Sequence, residues 1–212
     1  MSFGTFLQQG GWAMWPIYAC SLAALTVFIK KMVDLASSRL GDVSWFEKAL
    51  QALRNADDDE LHRVLRGAPH PAARVLDAGL SVRRASPDRI EAEARRVGNL
   101  EIQRAEAYLS VLSFIAQAAP LLGLLGTVLG MVDLFRGLQS SGLQSIDLAL
   151  LSSGIWKALL TTAAGLTVAL PTLAAYSYLV RRADSLRIQV SDLVQRMLTE
   201  LSVMKPEDNR PR

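Results

Sequence analysis

The sequence predicts an all-α membrane protein in which three transmembrane helices carry long cytoplasmic helical extensions. Of its 212 residues 50% are hydrophobic, yet 20% are charged, and the two are compatible because charges and apolar runs occupy separate stretches. Each of three apolar runs has about the 20 residues that a helix needs to cross a bilayer. Of the 23 Lys and Arg residues, only Arg136 and Lys157 lie outside the parts predicted to be cytoplasmic, as the positive-inside rule requires.

The first predicted span lies within residues 1–31 and is the uncharged run from Trp12 to Ile29. Aromatic side chains crowd its start, as is typical of a membrane interface, and Lys30 and Lys31 end it. The run lacks the polar face that a helix of a soluble domain would show. Its basic end predicts that Lys30 is cytoplasmic and that the N-terminus lies on the opposite side of the membrane.

The polar stretch 32–106 predicts a cytoplasmic helical domain. Ser44 is expected to cap a short amphipathic helix, and the acidic run 57–59 is expected to cap a second one. The turn-forming sequence GAPHP predicts that a third helix begins at Pro71.

A longer helix is predicted to begin at Ser86 and Pro87, a serine cap followed by a proline at the first helical position. Apart from Gly98, no helix breaker follows before Pro120. We therefore expect this helix to run from the cytoplasm into the membrane without a break.

The rest of the chain predicts a hairpin of two spans followed by a cytoplasmic helix. Residues 107–135 form the second span, 136–147 a short outer loop, 148–180 the third span, and 181–212 a cytoplasmic helix and tail. The loop is too short to be a domain, so the second and third spans are expected to be neighbours. Apolar residues recur at helical spacing in the last segment, at Leu186, Val190, Leu193, Val194, Leu198 and Leu201.

Small residues and one threonine follow a single face of each of these two spans. Steps of three and four join Ser113, Ala116, Pro120, Gly123, Thr127 and Gly130 in the second span, and Ala158, Thr162, Gly165, Ala169 and Thr172 in the third. Close helix packing alone can explain such faces. A shared polar path is the alternative, because each span has a threonine near its middle and no carboxylate there.

These runs resemble the MotA/TolQ/ExbB proton-channel family, in its three-span ExbB/TolQ branch. The resemblance is carried by Ala119-Pro120-Leu-Leu-Gly123-Leu-Leu-Gly126-Thr127-Val-Leu-Gly130, by Gly154-Ile-Trp-Lys157-Ala-Leu-Leu-Thr161-Thr162-Ala-Ala-Gly165, and by Ala169-Leu-Pro171. It implies a homopentamer in the bacterial inner membrane, with a periplasmic N-terminus and a cytoplasmic C-terminus. It also implies an ExbD/TolR-like single-span partner whose aspartate carries the proton.

The proton path predicted on this basis is lined by small and hydroxyl-bearing residues of both spans. Thr127 and Thr162 correspond to pore-facing threonines of the family and are expected to solvate the partner's carboxylate. The path is completed by Pro120, Gly123, Gly130, Ala158, Gly165 and Ala169.

Lys157 departs from the family, whose well-known members carry a glutamate at this position. A lysine cannot relay protons as a carboxylate does. We expect Lys157 to reach the outer membrane interface or to pair with Asp133 at the outer end of the spans.

The predicted function is that of a channel subunit that converts proton flow into mechanical work on the cell envelope. Outer-membrane uptake through TonB is the first candidate client, and a Tol–Pal-type division machine with a TolA-like protein or a gliding motor is the alternative. A substrate-carrying transporter is a different class, disfavoured because the three spans show no internal repeat. No enzymatic activity, cofactor, metal or nucleic acid is expected, and His62 and His70 are expected on the solvated surface because they lack metal-ligand spacing.

Overall fold

The computed structural model describes residues 13–38, 42–82, 87–140 and 148–204, and all regular secondary structure in these ranges is helical. The helices are α1 (Met14–Ser37), α2 (Ser44–Arg54), α3 (Asp58–Gly67), α4 (Pro71–Ser81), α5 (Pro87–Glu106), α6 (Leu109–Ser140) and α7 (Leu148–Met204). The prediction of an all-α chain is confirmed.

Two stretches of the described chain are long and apolar enough to cross a membrane. They are Arg89–Gln139, which includes α6 up to its last residue but one, and Leu151–Ser202, which lies within α7. The first predicted span begins at Trp12, which lies outside the described residues, and its residues from Met14 to Ile29 fall in α1. It is not among these stretches, so a third span stays a prediction. The pentamer also stays a prediction, because the structure contains one chain.

The chain divides into two compact units. The first comprises residues up to Lys30 together with Tyr108–Leu179, and the second comprises Lys31–Ala107 together with the residues from Val180 onwards. The unit boundaries lie close to the predicted segment boundaries. The assignment of those segments to membrane and cytoplasm stays a prediction.

The short helices of the second unit begin where turn chemistry places them. Asp57 caps α3, because its side chain accepts a hydrogen bond from the backbone N–H of Glu60 at 2.9 Å, and α4 begins at Pro71 as predicted. The expected serine cap of α2 is wrong. Ser44 lies inside the first turn, and Asp42 accepts hydrogen bonds from its backbone N–H at 3.1 Å and from its hydroxyl at 2.6 Å. A carboxylate is the stronger acceptor for these donors. Ser86, the predicted cap of α5, lies outside the described residues.

The second unit has its own hydrophobic core. Its buried residues include Trp45, Phe46, Leu50 and Leu53 of α2, Leu61 and Leu65 of α3, Val75 and Leu76 of α4, and Leu186, Val190, Leu193 and Met197 of α7. The helical spacing predicted for the last segment is therefore used to pack α7 onto the short helices.

The prediction that the histidines are solvated is wrong for His70, which is fully buried. Its Nδ1 accepts a hydrogen bond from the backbone N–H of Ala72 at 3.1 Å, and its Nε2 lies 3.3 Å from the side-chain oxygen of Gln189. His70 is thus the N-cap of α4, a position that places its ring in the core. His62 is half-buried, and its Nδ1 lies 2.6 Å from Oδ1 of Asp77.

The expected unbroken helix after Pro87 is also wrong, because α5 ends at Glu106 and α6 begins at Leu109. Tyr108, between them, adopts the left-handed conformation with φ 66°, which ends a helical hydrogen-bond ladder. The break leaves the last carbonyl groups of α5 without helical donors. Within the second unit the buried Lys31 supplies donors, because its Nζ lies 2.9 Å from the carbonyl oxygens of both Arg104 and Ala105.

Candidate functional site

Helices α6 and α7 contain the two apolar runs on which the functional prediction rests. Both continue through an internal proline, Pro120 in α6 and Pro171 in α7. Large apolar side chains are exposed along them, among them Phe114, Leu121, Leu159 and Leu170. Such surfaces are typical of helices that face lipid or neighbouring chains.

Glycines bring the backbones of α6 and α7 into direct contact. A Cβ added to Gly165 would lie 2.5 Å from the carbonyl oxygen of Ala119. One added to Gly123 would lie 3.0 Å from the Cα of Thr162. These distances leave no room for a side chain, so the helices approach each other as glycine-bearing membrane helices do.

A further contact joins Gly126 and Thr161, neither of which was predicted to belong to the path. A Cβ on Gly126 would lie 2.5 Å from the Thr161 hydroxyl oxygen and 2.6 Å from its Cβ, and Thr161 is 2% exposed. Each residue directly precedes a predicted path threonine, Thr127 or Thr162. The signal for this contact was present in the sequence, because Gly126 belongs to the same run of glycines.

The two predicted path threonines use their hydroxyls differently. Thr162 donates across the helix pair to the carbonyl oxygen of Gly123 at 3.1 Å. Thr127 donates within its own helix to the carbonyl oxygen of Leu124 at 2.6 Å. Both side chains are half-buried within the single chain. In each case the proton of the hydroxyl is engaged, and the oxygen keeps lone pairs that can accept a hydrogen bond.

The remaining predicted path residues lie at or beside the helix contact. A Cβ on Gly130 would lie 3.4 Å from the Cβ of Ala158, at ordinary van der Waals distance. Ala169 is 5% exposed, and Pro120 is half-buried. In the single chain, helix packing therefore accounts for Gly123, Gly130, Ala158 and Gly165. The lining of a pore is a property of an assembly, and it stays a prediction for all eight residues.

The proposed outer charge pair is not formed within the chain. Asp133 of α6 and Lys157 of α7 are both exposed, and no ion pair joins them in the part of the chain that the structure describes. The pair stays a prediction for the assembled protein.

The apolar parts of α6 and α7 carry several hydroxyl groups and a single carboxylate. The only acidic residue of α6 is Asp133, near its end, and α7 has none before Asp184. Hydroxyl groups donate and accept hydrogen bonds but do not ionise at physiological pH. The hydroxyl groups of the helix pair can therefore hydrogen-bond a proton-carrying group but cannot carry the proton by ionising themselves.

Comparison with known proteins places this helix pair in a family. The MotA/TolQ/ExbB proton channel family matches residues 67–192, more than half of the chain. A biopolymer transport protein of Synechocystis sp. named ExbB-like 1 is 31% identical over 212 residues, which cover 94% of this chain and 77% of that protein. Biopolymer transport protein exbB1 of Vibrio cholerae is 29% identical over 183 residues, covering 84% and 78%.

A relative from the Tol–Pal system matches a shorter stretch. Protein TolQ of Pseudomonas aeruginosa is 38% identical over 96 residues, covering 45% of this chain and 41% of its own. The family match includes all of α6 and the apolar part of α7, in which Thr161 and Thr162 lie. An all-helical chain with long apolar helices, glycine-mediated helix contact and these relatives belongs to the MotA/TolQ/ExbB proton channel family, as an ExbB/TolQ-like membrane protein.

Proposed function

We propose that this chain is the channel-forming subunit of an inner-membrane complex that converts the proton-motive force into mechanical work on the cell envelope. In this proposal the chain forms a homopentamer with a periplasmic N-terminus and a cytoplasmic C-terminus. An ExbD/TolR-like single-span partner enters the pore and contributes the aspartate that carries the proton. The observation that carries the proposal is the α6–α7 pair of a proton-channel family member, which holds threonine hydroxyls and lacks a mid-helix carboxylate.

The role proposed for the threonine hydroxyls follows from the energetic cost of an ion inside the membrane. A charged side chain at mid-bilayer must be hydrogen-bonded or hydrated, because hydrocarbon offers neither. Thr127 and Thr162 would supply hydroxyls to the partner's aspartate as it loses and gains its proton. One proton moving across 100 mV supplies about 2.3 kcal/mol, so several protons are needed for each mechanical step.

In this proposal each pentamer encloses two copies of the partner, and a five-fold collar would be unable to present the same surroundings to both. Each partner could therefore meet equivalent positions in turn, which favours rotation as the mechanical step. Outer-membrane uptake through a TonB-like protein is the first candidate for the work performed, supported by the ExbB relatives. A Tol–Pal-type machine with a TolA-like protein is the alternative, and the TolQ relatives favour it.

Proton flux into liposomes tests the proposal. The chain is reconstituted alone and with its single-span partner, and acidification is followed with a pH-sensitive dye while a potential is applied. We expect little flux without the partner and a clear flux with it, because the carboxylate is the partner's. A large steady flux through the chain alone would contradict the proposal.

Two variants of the chain sharpen this test. Thr127→Val and Thr162→Val should assemble normally and abolish the partner-dependent flux, because valine keeps the shape of threonine without its hydroxyl. Thr167→Val is the matched control, since Thr167 is an exposed threonine of the same helix as Thr162 and its hydroxyl donates to the carbonyl oxygen of Ala163 at 2.8 Å. Full flux in both test variants would discard the role assigned to these hydroxyls.

A further inference from the structure

Two consecutive threonines of α7 reach the same carbonyl group of α6. The hydroxyl oxygen of Thr162 lies 3.1 Å from the carbonyl oxygen of Gly123, and that of Thr161 lies 3.4 Å from the same atom. Thr161 also lies 2.8 Å from the carbonyl oxygen of Ala158, one turn earlier in its own helix. A hydroxyl has one proton, so the shorter distance makes Ala158 its principal acceptor. Besides the backbone hydrogen bond of its own helix, the Gly123 carbonyl thus has one side-chain donor of α7 in place and a second within reach.

The chemistry of a carboxyl proton carrier requires Thr162 to act in two ways. A neutral carboxylic acid can donate to the hydroxyl oxygen, so the Thr162 proton can stay on the Gly123 carbonyl. An ionised carboxylate only accepts hydrogen bonds. To serve that form, the Thr162 hydroxyl must turn its proton away from Gly123, and the hydrogen bond across the helix pair is lost.

We infer that Thr161 is a positioning residue that takes over the Gly123 carbonyl oxygen whenever the Thr162 hydroxyl turns to an ionised carboxylate. The inference rests on the proposed function, because it requires a carboxyl group beside Thr162. No covalent bond changes, since only the two O–H bonds rotate and the Thr161 oxygen closes a gap of a few tenths of an ångström. The Ala158 carbonyl keeps the backbone hydrogen bond that an α-helix gives to each interior carbonyl.

Packing makes Thr161 suitable for this role. The Thr161 side chain occupies the space that the absent side chain of Gly126 leaves open. A Cβ on Gly126 would lie 3.0 Å from the methyl carbon of Thr161. With 2% exposure Thr161 has no access to solvent that could compete for its proton. The hydroxyl is therefore confined to the two carbonyl groups, and the helix pair stays joined by a hydrogen bond in both states of the carrier.

Two substitutions distinguish a hydrogen-bonding role from a packing role. Thr161→Val keeps the shape and loses the hydroxyl, whereas Thr161→Ser keeps the hydroxyl and loses the methyl group. We expect partner-dependent proton flux in liposomes to fall about threefold to tenfold in Thr161→Val, the effect of one lost hydrogen bond, and to stay near wild type in Thr161→Ser. The opposite order, with Ser impaired and Val unaffected, would overturn the inference.

A second pair keeps the test decisive where Thr161→Val does not assemble. Thr161→Ser and Thr161→Ala both lack the methyl group and differ only in the hydroxyl. The serine variant should conduct about threefold to tenfold faster than the alanine variant. Equal flux in these two variants would overturn the inference.

The outcomes separate this inference from the proposed function. No partner-dependent flux in the wild-type protein would refute the proposed function itself, and wild-type flux in Thr162→Val would refute the role assigned to the Thr162 hydroxyl. Wild-type flux in Thr161→Val, together with loss of flux in Thr162→Val, would refute only the role of Thr161 and leave the channel function in place.

Discussion

The carbonyl oxygen of Ala119 in α6 lies 2.5 Å from the point where a Cβ on Gly165 of α7 would be. The obstacle is backbone rather than a flexible side chain, so it cannot move aside without displacing the helix. A hydrocarbon surrounding gives no hydrophobic drive for helix association, and such backbone contact supplies the packing that replaces it. The spacing of the two helices is therefore set at Gly165.

Gly165→Ala should separate α6 from α7 and destabilise the first unit. Overpacking of this kind typically costs about 1–3 kcal/mol. Thermal unfolding of the full chain in detergent, followed by circular dichroism, measures the loss. Gly126→Ala should behave similarly, because a Cβ there would lie 2.5 Å from the Thr161 hydroxyl oxygen. A melting temperature equal to wild type in both variants would show that the helices tolerate a wider spacing.

Gly98→Ala should raise the stability of the protein rather than lower it, and it serves as the matched control. A Cβ on Gly98 would lie 3.7 Å from Cγ1 of Val190 and 3.8 Å from Cγ1 of Val75, which are ordinary contacts. Alanine also restricts the unfolded chain more than glycine does, so stability should rise by about 0.4–1 kcal/mol. The same thermal measurement decides this, and a fall in stability would contradict the ordinary contacts found around Gly98.

Lys31→Met should destabilise the second unit more than Lys30→Met destabilises the first. Lys31 is buried and its Nζ lies 2.9 Å from the carbonyl oxygens of Arg104 and Ala105, so the substitution removes the charged donor from two part-buried carbonyl groups at the end of α5. We expect a cost of about 1–3 kcal/mol. Lys30 is exposed, and its Nζ lies over the Tyr108 ring at 4.6 Å, a contact worth about 0.5–1 kcal/mol at exposed sites.

Hydrogen exchange at the end of α5 provides the local measurement for this pair. Amide protection in the last turn of α5 should fall in Lys31→Met and stay unchanged in Lys30→Met, because only Lys31 bonds those carbonyl groups. Equal protection in the two variants would exclude a capping role for Lys31.

The start of α4 and the packing face at the end of α7 could be predicted because local chemistry determines them. Pro71 fixes a helix start, and apolar spacing places Leu186 and Val190 on one face whatever they pack against. The break at Tyr108 could not be predicted, because neither glycine nor proline marks it and the left-handed conformation is specified by tertiary contacts. The burial of His70 had no local signal either, since its partner Gln189 is 119 residues away.

The sequence predicted that the small-residue faces of the two helices meet, but not which residues make the closest contacts. Thr127 and Thr162 were placed on the small-residue faces, whereas the closest packing also uses Gly126 and Thr161, one residue earlier in each helix. One residue is a rotation of roughly 100° about a helix axis. Steps of three and four define a broad face, and the line of closest approach within it depends on the partner helix. That line is set by the two backbones together, so the sequence of one helix does not determine it.

The Arg54–Glu200 ion pair should make the second unit less stable in acid. It joins α2 to the end of α7, with Nη2 of Arg54 2.5 Å from Oε1 of Glu200 and Nε 3.2 Å from Oε2. The hydrogen bond from Arg54 lowers the pKa of Glu200 from its ordinary value of 4.5. Because the folded state holds the proton less tightly than the unfolded state, the pair stabilises the fold above pH 4.5 and loses this effect as pH falls through the lowered pKa.

Denaturant unfolding of the full chain between pH 3 and pH 7, roughly the range in which glutamates titrate, tests this expectation. Arg54→Met and Glu200→Gln should each reduce the fall in the free energy of unfolding on the acid side of the pH profile. The double variant should reduce it little further, since both substitutions remove the same ion pair. Glu93→Gln is the control. The pKa of Glu93 is also lowered, by a hydrogen bond from Arg96 in the same helix. Because this pair is separate from Arg54 and Glu200, the effects of Glu93→Gln and Glu200→Gln on the free energy of unfolding should add. An unchanged acid profile in Arg54→Met would mean that the ion pair does not persist in solution, and that the apolar contacts of Leu193 and Met197 hold the end of α7 without it.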